Sequence, residues 1–221
     1  MNIMFRPRSN YGDIDLLSIA VTAGTHTAFL YINELDNDKP YLMHLNGYDR
    51  LLNDIPSEDY VWVDLPLTKI QKYNIIDFIE EIFSHYGNEI PYDVASQAFF
   101  KPDAHFILKD EFGGFTCSTF VLSVFDSLSH PLINYDTWPI TQMNKEDISR
   151  WAPMVKTISN YIFKNKRNTY LKRMINLFRG DLRRYRAEEV AAASSKVGYP
   201  HSYNNIKSES IEILDTLKKV Y

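Results

Sequence analysis

The stretch FGGFTCSTFVLSVF, residues 112–125, has the largest influence on how this chain is interpreted. It contains the only cysteine, Cys117, which follows two glycines and opens an apolar run. That run predicts a helix from Cys117 to about Leu128, because Pro131 stops a helix soon afterwards. A cysteine at a helix N-terminus is either a small buried apolar residue or a nucleophile, since the helix dipole and a nearby imidazole both favour the thiolate.

Two upstream histidines bear on that choice. His26 opens the apolar segment HTAFLYI, and His44 lies near the end of the next one, KPYLMHL. Neighbouring antiparallel strands can present such residues side by side, one as a base and the other orienting it. Taken alone, a histidine in either position is more often an ordinary core or surface residue than a catalytic one. No HxH or HxxxH spacing is present, so no metal site is expected.

The spacing of apolar residues changes along the chain from a strand-like to a helix-like pattern, which predicts an α+β protein. Up to residue 65 the pattern is that of short antiparallel strands, in DIDLLSIAVTA, HTAFLYI, KPYLMHL and YVWVDLP. A helix follows, with Thr68 as its N-cap and Gly87 as its stop. We expect a short helix in IPYDVASQAFF and a loop over 101–116. Beyond residue 140 the pattern predicts two or three helices, a break near Gly180 and a last amphipathic helix, SESIEILDTLKKVY.

Composition excludes several classes of protein. A single cysteine forms no internal disulfide and no multi-cysteine zinc site, and a net charge of −4 gives no general attraction to nucleic acid. The first residues, MNIMFRPRSN, lack the apolar core of a signal peptide, and no apolar run is long enough to span a bilayer. We therefore expect a protein made in the cytoplasm, with a signal-independent secretion system as the route for any action elsewhere.

Positive charge is concentrated in residues 156–186, which carry ten basic residues and one acidic one. The simplest interpretation is a solvated helix face. The alternative is a docking surface for an anionic membrane, phosphate or an acidic partner.

Taken together, the motifs resemble the circularly permuted papain-fold superfamily, which includes the NlpC-like hydrolases and the lecithin:retinol acyltransferase group. The resemblance covers roughly residues 11–130. His precedes Cys, the reverse of the order in papain. The resemblance rests on four motifs in order: YGDIDLLSI, HTAFLYI with KPYLMHL, IPYDV and TCSTFV.

The resemblance implies a fold and roles for named residues. It implies a permuted papain-like catalytic domain over 1–138, a small antiparallel sheet packed on helices, with a helical extension over 139–221 packed on it. Cys117 is then the nucleophile, His26 the general base and acid, and His44 the residue that orients His26, with Glu34 as the alternative. The backbone N–H of Cys117 would form an oxyanion hole. The remaining implied residues are Thr116 and Tyr11 as oxyanion support and Tyr92 and Asp93 as cleft candidates.

The expected function is that of a cysteine-dependent hydrolase without metal or cofactor. It would cleave an amide bond in a peptidoglycan peptide or a protein through a thioester, and a bacterial effector would fit this description. One alternative is a lipid acyl hydrolase or acyltransferase at an anionic membrane. The other is a catalytically inactive binding module of the same fold.

Overall fold

The computed structural model describes residues 5–6, 14–22, 26–46, 50–56, 60–87, 89–93, 98–162 and 164–220. Within them the chain is α+β, as the sequence predicts. The central six-stranded sheet is antiparallel, with the order β1-β6-β2-β3-β4-β5. Its strands are β1 (Phe5–Arg6), β2 (Leu17–Val21), β3 (Thr27–Asn33), β4 (Lys39–Leu45), β5 (Leu51–Asp54) and β6 (Val61–Asp64).

Both faces of the sheet are buried along its central strands, β2 and the first part of β3. Alternation along β2 and β3 sends Ile19 and Phe29 to one face, which belongs to the main hydrophobic cluster together with the helices. Ala28 and Leu30 point to the other face, where they form a second cluster with Leu42, Tyr60 and Trp62. The strands therefore read as continuous apolar runs, because neither face is left to water.

Two helices pack near the sheet as the sequence predicts. Helix α1 (Lys69–Tyr86) begins after Thr68, which forms a capping box with Gln71, and ends at Gly87. Helix α2 (Cys117–Ser127) begins at the cysteine. Ring contacts hold α2 on β3, since Phe29 stacks on Phe125 and meets Phe120 edge to face.

Two expectations for the middle of the chain are wrong. A hairpin is formed by β7 (Ala98–Phe100) and β8 (Phe106–Leu108). It takes the place of the end of the helix expected in IPYDVASQAFF and of part of the loop expected over 101–116. Phe100 explains the strand, because its ring stacks on Phe115 at 4.7 Å and contacts Phe120. Packing against the start of α2 therefore decides the conformation of this short apolar segment.

The C-terminal part is mostly helical, as expected, and shares the core of the N-terminal part. Its elements are β9 (Ile140–Gln142), α3 (Lys145–Tyr161), α4 (Lys164–Arg179), β10 (Asp181–Arg183), α5 (Ala187–Ser194) and α6 (Tyr203–Val220). Helix α5 is buried along its whole length and packs on β2, β6 and α2. The main hydrophobic cluster thus includes residues from both sides of position 138.

Gly114 allows two chain segments to cross directly before the cysteine. Its backbone runs beside Pro91–Asp93, where Phe115 N–H donates to Pro91 O at 2.9 Å and Asp93 N–H donates to Phe115 O at 3.1 Å. A Cβ on Gly114 would lie 2.3 Å from the Pro91 carbonyl oxygen. The second glycine of FGGFTC is therefore required for close packing at the start of α2.

Gly114→Ala is expected to lower the free energy of unfolding by about 3 kcal/mol, because backbone rather than a flexible side chain blocks the new methyl group. Gly87→Ala is the matched control. Its Cβ would lie 3.2 Å from Phe83 O in a right-handed conformation, so its effect should stay within about 1 kcal/mol. Urea unfolding of both variants measures the difference. Equal losses of unfolding free energy in the two variants would contradict the close approach of Gly114 to the Pro91–Asp93 backbone.

Candidate active site

Cys117 lies at the first position of α2, where the backbone N–H groups of Cys117 and Ser118 lie within hydrogen-bond reach of its thiol. Thr116 is the N-cap: its hydroxyl accepts from Thr119 N–H at 3.1 Å, and its own N–H donates to Thr119 Oγ1 at 2.8 Å. The structure therefore gives Thr116 a capping role, and its backbone donor is already used. The other expected oxyanion support, Tyr11, lies outside the described residues.

The thiol of Cys117 contacts the backbone N–H of Thr27, the first residue of β3. Hydrogen bonds from the Thr27 backbone N–H and from Ser118 favour the thiolate of Cys117, but burial has the larger effect and raises the pKa of the thiol. The residue is only 7% exposed. Cys117 is thus a neutral thiol at rest, and it contacts the backbone N–H of Thr27, the residue that follows His26 in the chain.

His26 and His44 share a hydrogen bond, 2.6 Å from Nε2 of the first to Nδ1 of the second. The register explains this contact. Phe29 pairs with Met43, so His26 and His44 are diagonal neighbours at the end where β3 and β4 part. Tyr60 flanks both rings at 6.4 Å. The two histidines predicted to lie side by side are therefore in direct contact.

Asp54 lies beside this pair, and no sequence motif predicts it there. It lies on β5 two residues from Leu52, the register partner of His44, and its Oδ2 is 3.5 Å from His44 Nε2. A carboxylate can only accept, so this contact favours the tautomer of His44 that is protonated on Nε2. In that tautomer His44 Nδ1 accepts from His26 Nε2–H. Nδ1 of His26 would then be unprotonated, which is the form a general base requires.

Both histidines are neutral at physiological pH. Burial lowers the pKa of His26 to about 4. Burial and the neighbouring His26 lower the pKa of His44 to about 4, against the opposing effect of Asp54. The site therefore rests as neutral imidazole and neutral thiol, so the proton would move only when the thiol attacks.

These lowered pKa values predict acid-dependent stability. The unfolded chain protonates each histidine near pH 6.5, and the folded chain does so only near 4. Stability is thus fully present above pH 6.5, and it falls towards pH 4 by up to about 1.4 kcal/mol per pH unit for each histidine. Urea unfolding between pH 7 and 5 measures the slope. The double variant His26→Gln/His44→Gln should flatten it, and an unchanged slope would contradict the burial of neutral imidazoles.

Tyr92 contacts Cys117, whereas Asp93 points away from it. The Tyr92 hydroxyl lies within hydrogen-bond reach of both the thiol and the backbone N–H of Cys117. Burial, then the nearby thiol, raises the pKa of Tyr92 well above its usual value, so the hydroxyl stays protonated. Asp93 is completely buried and forms a bidentate pair with Arg173. The structure therefore gives Asp93, a cleft candidate from the sequence, a buried ion pair with Arg173.

Glu34, the alternative to His44, lies at the far end of β3. It accepts from the Tyr73 hydroxyl at 2.6 Å and pairs with Lys69. It does not join the histidine pair.

Two features of the described residues concern metal binding and membrane insertion. No group of three or more His, Cys, Asp or Glu side chains there is arranged to hold a metal ion. None of the described helices combines the length and apolar character needed to cross a bilayer.

Comparison with known proteins finds no matching family model, no matching curated protein and no matching solved structure. The resemblance to the permuted papain-fold superfamily therefore rests on the motifs, and the chemistry of the site has to be argued from its own geometry.

Proposed function

We propose that this protein is a cysteine-dependent acyl-transfer enzyme, with an amide bond of a peptidoglycan peptide or a protein as its substrate and water as the acceptor. One observation supports it most strongly. The thiol of Cys117, at the start of a capped helix, accepts from the Thr27 N–H next to His26, whose ring is oriented by His44. A nucleophile, a base and a residue that orients the base are the three parts this chemistry needs.

The reaction would proceed in two steps. His26 Nδ1 takes the thiol proton as the sulfur of Cys117 attacks the amide carbonyl, and the same proton then goes to the leaving amine. Water, deprotonated by His26, attacks the thioester carbonyl, releases the acid and returns the proton to the sulfur. The first oxyanion would form beside the Cys117 N–H and the protonated hydroxyl of Tyr92, which both lie close to the sulfur.

A lipid acyl donor at an anionic membrane has less support. Arg173 binds Asp93 and Asp110, and Lys166 binds Glu111 at 2.8 Å, so two basic residues of segment 156–186 already have acidic partners in the chain. This reduces the charge available to lipid headgroups.

The experiment that tests the proposal offers the protein three acyl donors: peptidoglycan fragments, peptides, and phospholipid vesicles containing an anionic lipid. Mass spectrometry of quenched reactions should detect an acyl adduct on Cys117 with a peptide or peptidoglycan amide. An adduct from vesicles alone would instead favour the lipid enzyme. Equal product from the wild type and Cys117→Ala, or no adduct with any donor, would contradict the proposed mechanism.

Asp54→Asn should lower the rate of acyl transfer by about tenfold, because an amide can donate to His44 Nε2 and reverse the tautomers of both histidines. The effect is modest because the Asp54 side chain is 56% exposed, so water can replace it. Asp54→Glu keeps an acceptor and should recover most of the rate. Turnover of the three proteins measures this. Equal rates would mean that Asp54 does not act on the histidine pair.

A further inference from the structure

An ion-pair cluster joins helix α4 to the segment that carries Tyr92. Arg173 donates from Nη1 to Asp93 Oδ1 at 2.9 Å and from Nη2 to Asp93 Oδ2 at 3.0 Å. Its Nη2 also donates to Asp110 at 3.1 Å. The Arg173 side chain is 16% exposed and that of Asp93 is fully buried. A bidentate pair removed from water in this way fixes the geometry of both residues.

This cluster lies one residue from Tyr92, which contacts the nucleophile. Asp93 directly follows Tyr92, whose hydroxyl reaches both the thiol and the N–H of Cys117. The backbone bonds that join Pro91 and Asp93 to Phe115 hold the same segment against the start of α2. Tyr92 also packs on Trp151 of α3, with ring centroids 6.1 Å apart. Helices of the C-terminal part therefore hold the residue that covers Cys117.

We propose that Arg173 is a positioning residue that keeps Tyr92 over Cys117 through Asp93, so that helix α4 controls how exposed the nucleophile is. The inference rests on the proposed function only in taking Cys117 as the reacting group. Because burial is the main cause that keeps this thiol protonated, releasing Tyr92 should admit water to the sulfur. The thiol should then ionise more easily and react faster.

Alkylation of Cys117 by iodoacetamide, followed by mass spectrometry between pH 6 and 10, measures this without a substrate. Arg173→Met and Tyr92→Ala should both react at least ~10-fold faster than the wild type at pH 8, with midpoints at lower pH. Arg173→Lys keeps one ion pair and should lie between Arg173→Met and the wild type.

Two control variants separate release of Tyr92 from general loss of stability. Lys166→Met breaks the exposed pair between α4 and Glu111, and should alkylate like the wild type. Ile213→Ala empties a buried position in α6 and lowers the melting temperature without touching Arg173. Each protein is alkylated well below its own melting temperature, so that global unfolding contributes little.

The outcomes are distinct for the two proposals. Arg173→Met reacting at the wild-type rate, or no faster than Ile213→Ala, would overturn the positioning role. If the wild type has no acyl-transfer activity but Arg173→Met and Tyr92→Ala are alkylated fast, the positioning role would stand and the proposed function would be overturned. If the wild type catalyses acyl transfer but Arg173→Met is alkylated at the wild-type rate, the proposed function would stand and the positioning role would be overturned.

Discussion

Cys117→Ala is expected to abolish the acyl adduct and to lower turnover of the amide substrate by a factor on the order of 10⁴ or more. The chain contains no second thiol. A hydroxyl group near the site, such as that of Ser118, is a much weaker nucleophile than a thiol and would not replace it. Residual rate would come only from donors that bind the oxyanion.

This variant should fold normally, which keeps its interpretation simple. Alanine is the best helix former, and the substitution removes one sulfur atom from the first turn of α2. Circular dichroism and the melting temperature serve as the control. A Cys117→Ala protein that folds and retains more than about a tenth of the wild-type turnover would rule out a thiol nucleophile.

His26→Gln should lower turnover by about 10²- to 10⁴-fold, the usual contribution of a general base. Glutamine preserves much of the shape and can hydrogen-bond His44, but it cannot accept the thiol proton. The lowered pKa of His26, about 4, means that the base is already unprotonated at pH 5, so the wild type should stay active in mild acid.

The matched control for this variant is His105→Gln, which changes an exposed histidine in the loop before β8. It should leave turnover within about twofold of the wild type, as surface substitutions usually do. Equal losses in the two variants would point to a structural effect, and no loss in His26→Gln would remove it from the mechanism.

The helices and strands around the site could largely be predicted from sequence, because capping residues and apolar spacing are local features of the chain. Thr68 and Gly87 bound helix α1 as capping chemistry predicts. The apolar run after Cys117 bounds α2 in the same way. His26 and His44 could be paired because two consecutive strands with a short turn between them have a nearly fixed register.

The parts that sequence missed depend on distant contacts. Asp54 belongs to a four-residue strand, LLND, with no alternation to indicate which face it joins. The Arg173–Asp93 pair links positions 80 residues apart, and nothing in a run of basic residues shows which one is buried. The conformation of Ala98–Phe100 depends on the ring of Phe115, and local propensity carries no information about that contact.

The proposed action of His26 as the base for Cys117 is tested most directly by the pH dependence of the acylation burst with p-nitrophenyl acetate. At pH values where circular dichroism shows that the protein is still folded, the wild-type rate should rise with pH around 4, as His26 loses its proton, and then stay nearly level to pH 7. In His26→Gln this acid limb should vanish, leaving only a slow rise at alkaline pH as the thiol ionises. A wild-type profile that follows thiol ionisation alone, and that His26→Gln leaves unchanged, would contradict the account.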